Sequence, residues 1–174
     1  MNYAAIKKTD TANGPGVRVS LFVSGCTHHC KGCFNRETWD FNYGMPYTEG
    51  TEKELLSALR PAYIRGISLL GGEPMEAANR GVLLELLKKV KVLYPEKDVW
   101  CYTGYDFEKD LLVWIEEGRT DVEELLSLVD VLVDGEFVEE KKNLRLAFRG
   151  SENQRLLDVP VSLKNRRAIL KNEA

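Results

Sequence analysis

Apolar residues fall along this chain in short runs and helical stripes that take turns. Residues 17–23, Val-Arg-Val-Ser-Leu-Phe-Val, form a run that predicts a buried strand. Thr51 with Glu54 makes a capping-box pattern ahead of Leu55, Leu56 and Leu59, and Pro61 ends that helix. Residues 66–70 predict a second buried strand. Over 77–93 the residues Val82, Leu83, Leu86, Leu87, Val90 and Leu93 line one helical face, with Glu85, Lys88, Lys89 and Lys91 largely outside it. Residues 98–102 read as a third strand. Asp106 then caps a helix through Leu111, Leu112 and Ile115 that Gly118 stops, and Asp121 with Glu124 caps another through Leu125, Leu126 and Leu128. A fourth strand is expected at 129–133. Further on, residues 144–148 alternate as a half-buried strand should, 149–155 form a polar loop, 156–163 a last extended segment, and 164–174 a basic, then polar, solvated tail. Strands alternating with helices imply an α/β fold with a mostly parallel sheet and right-handed crossovers. With 174 residues the chain has room for one domain, 1–174, whose core is expected over about 13–155.

Composition changes this picture little and narrows function more. The chain is 44% hydrophobic and 29% charged, as ordinary globular proteins are. A formal charge of -3 and a pI near 5.6 give no global reason to expect nucleic acid or an anionic membrane as a partner. No apolar run approaches membrane-spanning length, and the first ten residues lack the apolar core of a signal peptide, so a cytoplasmic protein is expected. In that reducing compartment, four cysteines with three on one loop argue for metal ligation over disulfides.

Those three are Cys26, Cys30 and Cys33, on an eight-residue loop directly after the first predicted strand. Thiolates favour iron-sulfur clusters or zinc. A structural zinc site is closed by four ligands, which here would need His28, His29 or Cys101; a cubane held by three thiolates leaves one iron free to bind something else. Cys101 sits in an apolar strand and reads as structural, and His28 and His29, which could tune a cluster or donate hydrogen bonds, read first as exposed loop histidines. Gly71-Gly72-Glu73-Pro74 follows the second predicted strand, where α/β folds place ligands; its glycines permit close backbone approach, and Glu73 can accept hydrogen bonds from an ammonium. Asn13-Gly-Pro-Gly16 is a dense turn signal that also leaves room for a ligand or peptide, and Trp39, Phe41, Tyr43 and Tyr47 are expected chiefly in core packing.

The spacing C-x3-C-x2-C followed by Gly-Gly-Glu-Pro resembles the radical S-adenosylmethionine superfamily. Within it, Asn13-Gly-Pro-Gly16, the run from Gly25 to Asn35, Trp39, Gly71 to Pro74, Tyr102-Thr-Gly-Tyr105, Asp130 to Phe137 and Arg149-Gly-Ser-x-Asn-Gln154 together resemble the family of small activating proteins of anaerobic ribonucleoside-triphosphate reductase. That resemblance implies an open partial (β/α) barrel, the chain being short of the roughly 250 residues of a full eight-stranded one. It implies Cys26, Cys30 and Cys33 as ligands to three irons of one 4Fe-4S cluster, with S-adenosyl-L-methionine on the fourth. Contacts to S-adenosylmethionine are carried over to Gly32, Cys33, Phe34, Gly71, Gly72 and Glu73. The superfamily often has an aromatic residue where Gly32 stands, and Phe34 would supply the apolar surface instead. The implied chemistry is reductive cleavage of S-adenosylmethionine to methionine and a 5'-deoxyadenosyl radical. That radical takes hydrogen from a glycine of the reductase large subunit, after an external one-electron donor such as a flavodoxin has reduced the cluster. No side chain is needed as general acid or base. Activation of another glycyl radical enzyme is the nearer rival, disfavoured because no further cysteine clusters accompany Cys101, and a non-catalytic zinc or iron-sulfur interaction module is the more distant one.

Overall fold

A computed structural model describes residues 1–171 and builds them on one seven-stranded sheet. In chain order its elements are β1 (Asn2–Asp10), β2 (Val17–Val23), β3 (Met45–Pro46), α1 (Glu49–Leu59), β4 (Ile64–Gly71), α2 (Ala77–Leu93), β5 (Asp98–Tyr102), α3 (Leu112–Glu116), α4 (Thr120–Ser127), β6 (Val131–Asp134), β7 (Arg155–Asp158) and α5 (Val159–Asn165). The strands lie in the order β3-β1-β2-β4-β5-β6-β7. The centre, β2-β4-β5-β6, is parallel, with the antiparallel strands β1 and β3 added on one side and β7 on the other. The sheet is therefore mixed and open, ending at β3 and β7.

Period-two alternation along the strands decides what each face carries. Val19, Leu21, Val23, Ile67, Leu69, Val99, Cys101, Leu132 and Leu157 pack with the buried sides of all five helices in one continuous core. Leu55 and Leu59 come from α1, Leu83, Leu86, Leu87 and Val90 from α2, and Leu125 and Leu126 from α4. The opposite face of the same strands carries Arg18, Ser20, Ser68, Trp100 and Tyr102. Arg18 is fully buried there: Nε donates to Ser68 Oγ at 2.8 Å, NH2 to the Ile67 carbonyl at 3.0 Å, NH1 lies 2.6 Å from Asp98 Oδ1, and the guanidinium sits over the Trp100 ring. A buried charge persists only when paired and hydrogen-bonded, and this one is. Asn13-Gly-Pro-Gly16 folds onto it. Gly14 takes φ +123°, the Asn13 carbonyl accepts from Ser68 Oγ at 2.6 Å, and a Cβ on Gly14 would lie 2.8 Å from the Arg18 chain. The turn thus seats an arginine at the start of β2.

Several boundaries differ from those the pattern predicts, each for a local reason. β1, where no element was expected, forms because its backbone pairs with β2 over most of its length, although Lys7, Lys8 and Thr9 face water. The cap of α1 is Thr48, whose hydroxyl takes the Thr51 N–H while Thr51 answers as the third helical residue, so the capping box lies three residues before the expected one. α4 has no side-chain cap; Asp121 instead pairs with Arg80 at 2.6 Å. Asp106 does cap its helix, accepting from the Glu108 and Lys109 N–H groups, but the first turn, Phe107–Leu111, is π-helical. Residues 144–148 are turns, with Phe148 at φ +56°, so their alternation does not make a strand. The expected extended segment 156–163 splits, because Asp158 caps a helix with Pro160 in its first turn, where a missing N–H costs nothing. The tail is anchored up to Lys171, whose N–H donates to the Leu156 carbonyl, while residues 172–174 lie outside the described residues.

Candidate cofactor site

At the C-terminal ends of β2, β4 and β5, where parallel strands leave backbone groups without partners, the loops interlock. The Gly72 N–H donates to the Val23 carbonyl at 2.7 Å and the Glu73 N–H to the Gly25 carbonyl at 2.8 Å, so the exit of β4 is bonded to the entry of the cysteine loop. The Gly25 and Cys26 N–H groups bond to the carbonyls of Thr38 and Trp39, which closes the loop back on its own start. The glycine pair is required by that interlock. A Cβ on Gly71, at φ +107°, would lie 2.7 Å from Val23 backbone, and one on Gly72 would lie 2.6 Å from the Gly25 carbonyl oxygen. Gly72 therefore serves the protein's own backbone as well as any ligand.

Cys26, Cys30 and Cys33 line one cavity of about 210 Å³ with Phe34, Trp39, Gly71, Gly72, Glu73, Tyr102, Thr103 and Gly104, closed by Gly135, Phe137, Arg149, Gly150 and Gln154. All three thiols are free of disulfides. Burial pushes the Cys26 thiol up to about 12, further than the His28 and His29 N–H groups pull it down, and burial also raises Cys30. Three thiols in one polar-edged cavity suit a metal that displaces their protons. The fourth cysteine cannot join them. Cys101 is fully buried on the helix-covered face, as its apolar strand predicts. The donor set is three cysteines, which fits an iron-sulfur cluster with one open iron; a tetrahedral zinc would have to take His28, on the same cavity wall, from the carboxylates that face both of its ring nitrogens.

The other residues singled out in the sequence divide. Phe34 lines the cavity mouth, 67% exposed, 5.9 Å from the Phe137 ring with the Lys142 ammonium over it. Gly32 does not line the cavity; it turns the loop at φ +75°, facing Glu139. Glu73 does line it, but is 1% exposed, and its carboxylate already accepts from the Met75 N–H (2.8 Å), the Thr103 hydroxyl (2.8 Å) and the Gly104 N–H (2.7 Å). His28 corrects the expectation of an exposed loop residue, since its side chain is 9% exposed with a carboxylate at each ring nitrogen: Glu136 at 2.8 Å from Nδ1 and Glu73 at 3.3 Å from Nε2. Burial disfavours its charge, yet those two carboxylates outweigh burial and hold its pKa at about 9. His29 is exposed as expected and stacks on Trp39. Of the aromatic residues, Tyr47 joins the core margin, whereas Phe41 and Tyr43 are exposed.

Later motifs build the far wall. Gln154 accepts the Gly150 and Ser151 N–H groups and donates to the Gly135 carbonyl at 3.0 Å, and Asn153 donates to the Glu136 carbonyl at 2.8 Å. Arg149-Gly-Ser-x-Asn-Gln154 thus clamps the turn after β6 that carries Phe137. Sequence reasoning singled these residues out without roles; their signal was polar side chains beside glycines, which the fold uses as turn clamps. Asp106, Glu108 and Asp134 also converge near this wall, with the Arg155 guanidinium bonded among them, an ion-pair network that fixes β7 to the loop after β5.

Comparison with known proteins places the chain among relatives. The family model described as "4Fe-4S single cluster domain" matches residues 12–157. Three proteins named "Anaerobic ribonucleoside-triphosphate reductase-activating protein" align along nearly their whole length. That of Enterobacteria phage T4 is 46% identical over 160 residues, 90% of this chain and 93% of the relative. That of Vibrio cholerae is 43% identical over 156 residues, 88% of this chain and 96% of the relative. That of Escherichia coli K12 is 40% identical, with the same coverage.

Proposed function

The chain belongs to the 4Fe-4S single cluster domain family and, within it, to the anaerobic ribonucleoside-triphosphate reductase-activating proteins, and from that premise we propose that it activates such a reductase. When bound, a 4Fe-4S cluster and S-adenosylmethionine supply a one-electron reductive cleavage that yields methionine and a 5'-deoxyadenosyl radical, which takes hydrogen from a reductase glycine to leave a glycyl radical. The observation that carries this reading is the donor set: three free cysteines facing one cavity at the ends of parallel strands, with no fourth thiol among them.

In this reading Cys26, Cys30 and Cys33 hold three irons. Gly71, Gly72 and Glu73 form the edge that takes the methionyl group, and Cys33 and Phe34 border the adenine. Glu73 can offer an ammonium only the remaining acceptor position on Oε2, beside His28, because its other donors come from the protein. Phe34, Phe137 and Trp39 give the cavity apolar walls that keep water from the reacting carbon. The reductase large subunit is the protein substrate, and its glycine loop enters at the Phe34 mouth. An external one-electron donor such as a flavodoxin would supply the electron, and the setting is the cytoplasm. No helix among the described residues is long and apolar enough to cross a membrane. The finer architecture is a partial barrel over the whole chain, supported by helices confined to one face and site residues gathered at strand C-termini. The test is anaerobic reconstitution, followed by mixing with reductase, reductant and S-adenosylmethionine. A glycyl radical signal by electron paramagnetic resonance is expected, with deuterium from the target glycine recovered in 5'-deoxyadenosine. An intact cluster with bound S-adenosylmethionine and no transfer would remove the activase reading.

A further inference from the structure

The turns after β4, β5 and β6 all meet one side chain of the cysteine loop that lies outside the three-thiol donor set. The His28 ring lies between Glu73, on the turn after β4, and Glu136, on the turn after β6, at 3.3 Å and 2.8 Å. Its edge meets Tyr105, beyond β5, with ring centroids 4.3 Å apart. It also fills the space that a side chain at residue 104 would need, since a Cβ on Gly104 would lie 2.6 Å from His28 Cδ2 and 2.7 Å from Nε2. Glu136 is itself held through the Asn153 bond to its carbonyl, and Glu73 through three donors. The Glu73 carboxylate is therefore not free to follow the histidine if the loop shifts, whereas Glu136 is held by its backbone and its side chain is half-exposed. The neighbouring Thr27 ties the same loop to Glu76, its N–H at 3.0 Å and its hydroxyl at 2.5 Å, and through Glu76 and Tyr105 that tie reaches the β4 and β5 sides but not the turn after β6. Among the described residues of the loop, His28 meets the turns after β4, β5 and β6 together.

We propose that His28 is a positioning residue: it fixes the cysteine loop against the ends of β4, β5 and β6 and so sets where the cluster stands relative to the Gly71-Gly72-Glu73 edge. The proposal rests on the cofactor reading above. A loop held at Cys26 by backbone bonds but released at His28 keeps its three thiolates and loses its register to the cofactor edge. Gly104 is the second handle on the same contact. It sits outside the loop, its φ is not positive, and the side chain its added Cβ meets is the His28 ring.

The experiment uses full-length protein reconstituted anaerobically, with the S-adenosylmethionine-induced change in the spectrum of the reduced cluster as readout, beside iron content and the unfolding midpoint of the cluster-free chain. His28→Ala and Gly104→Ala should each keep parental iron content, and each should need roughly tenfold more S-adenosylmethionine for half of the spectral change, the size expected from one lost buried polar tie. The double variant should cost no more than the larger single one, because both act on one contact. His28→Gln, which retains a donor, should recover part of the loss, whereas a merely structural role would follow the unfolding midpoint instead. An unchanged S-adenosylmethionine dependence in both single variants, additive effects in the double, or loss of iron from Gly104→Ala would overturn the proposal. A parent protein that holds no cluster, or whose spectrum ignores S-adenosylmethionine, would overturn the functional reading itself, so the two failures are distinct.

Discussion

Placement at the cavity, not burial, separates the four thiols, since Cys26 is buried as Cys101 is. Cys26, Cys30 and Cys33 open into the cavity, and Cys101 is enclosed by the core between β5 and the helices. Replacing any of the first three by Ala should abolish stable iron binding, whereas Cys101→Ala should leave the cluster absorbance unchanged and cost only about 1 kcal/mol for a small cavity. Anaerobic absorbance with iron analysis measures both. A second residue-scale expectation concerns acid. Burial would raise the Asp10 carboxyl, but hydrogen bonds from Ser20 Oγ (2.6 Å), Asn13 Nδ2 (2.6 Å) and the Ala12 N–H outweigh it and leave the pKa below its ordinary value. A carboxyl depressed on folding stabilises the protein above its unfolded pKa and stops doing so as the pH falls through the folded value. Asp10→Asn should therefore destabilise by about 1–2 kcal/mol at neutral pH, and the gap from the parent should shrink steadily below about pH 4 in urea titrations.

Between elements, what matters is how β4 hands its exit to the cysteine loop. The Gly71-Gly72 pair invites a reading of room for a ligand, yet a methyl on Gly72 would run into the carbonyls of Gly25 and Thr38. Gly72→Ala should thus lower iron retention together with cofactor affinity, seen as faster iron loss to a chelator, whereas a purely ligand-facing glycine would change affinity alone. The same contrast explains what could be read beforehand. β2, β4 and β5 and the helix α2 were legible because runs and stripes of apolar residues report burial directly, and so were the three cysteines and the Gly-Gly-Glu edge. β1 was not, since the Lys7-Lys8-Thr9 end of this near-edge strand faces water and the strand is held by backbone pairing that leaves no mark on side-chain pattern. His28 was not, because its burial depends on two carboxylates that come from turns 45 and 108 residues away. Residues 144–148 misled for the converse reason: alternation without a strand to pair with makes only turns.

On the scale of the molecule, all helices lie against one side of the sheet, while the other side is packed from below by Arg18 and Trp100, one pleat under Tyr102 and the cysteine cavity. Arg18 and Trp100 thus make a floor and Phe34 a rim, and traffic over one rim has an order. On the proposed function, methionine and deoxyadenosine would leave past Phe34, the same lip over which a reductase loop would lean, so substrate protein and small molecules would share one doorway. Cofactor should load before the partner arrives, and spent products should be trapped until the partner departs. Saturating reductase should accordingly slow the exchange of labelled S-adenosylmethionine into the reconstituted protein in proportion to occupancy, and exchange that ignores the partner would mean that a second exit pierces the floor.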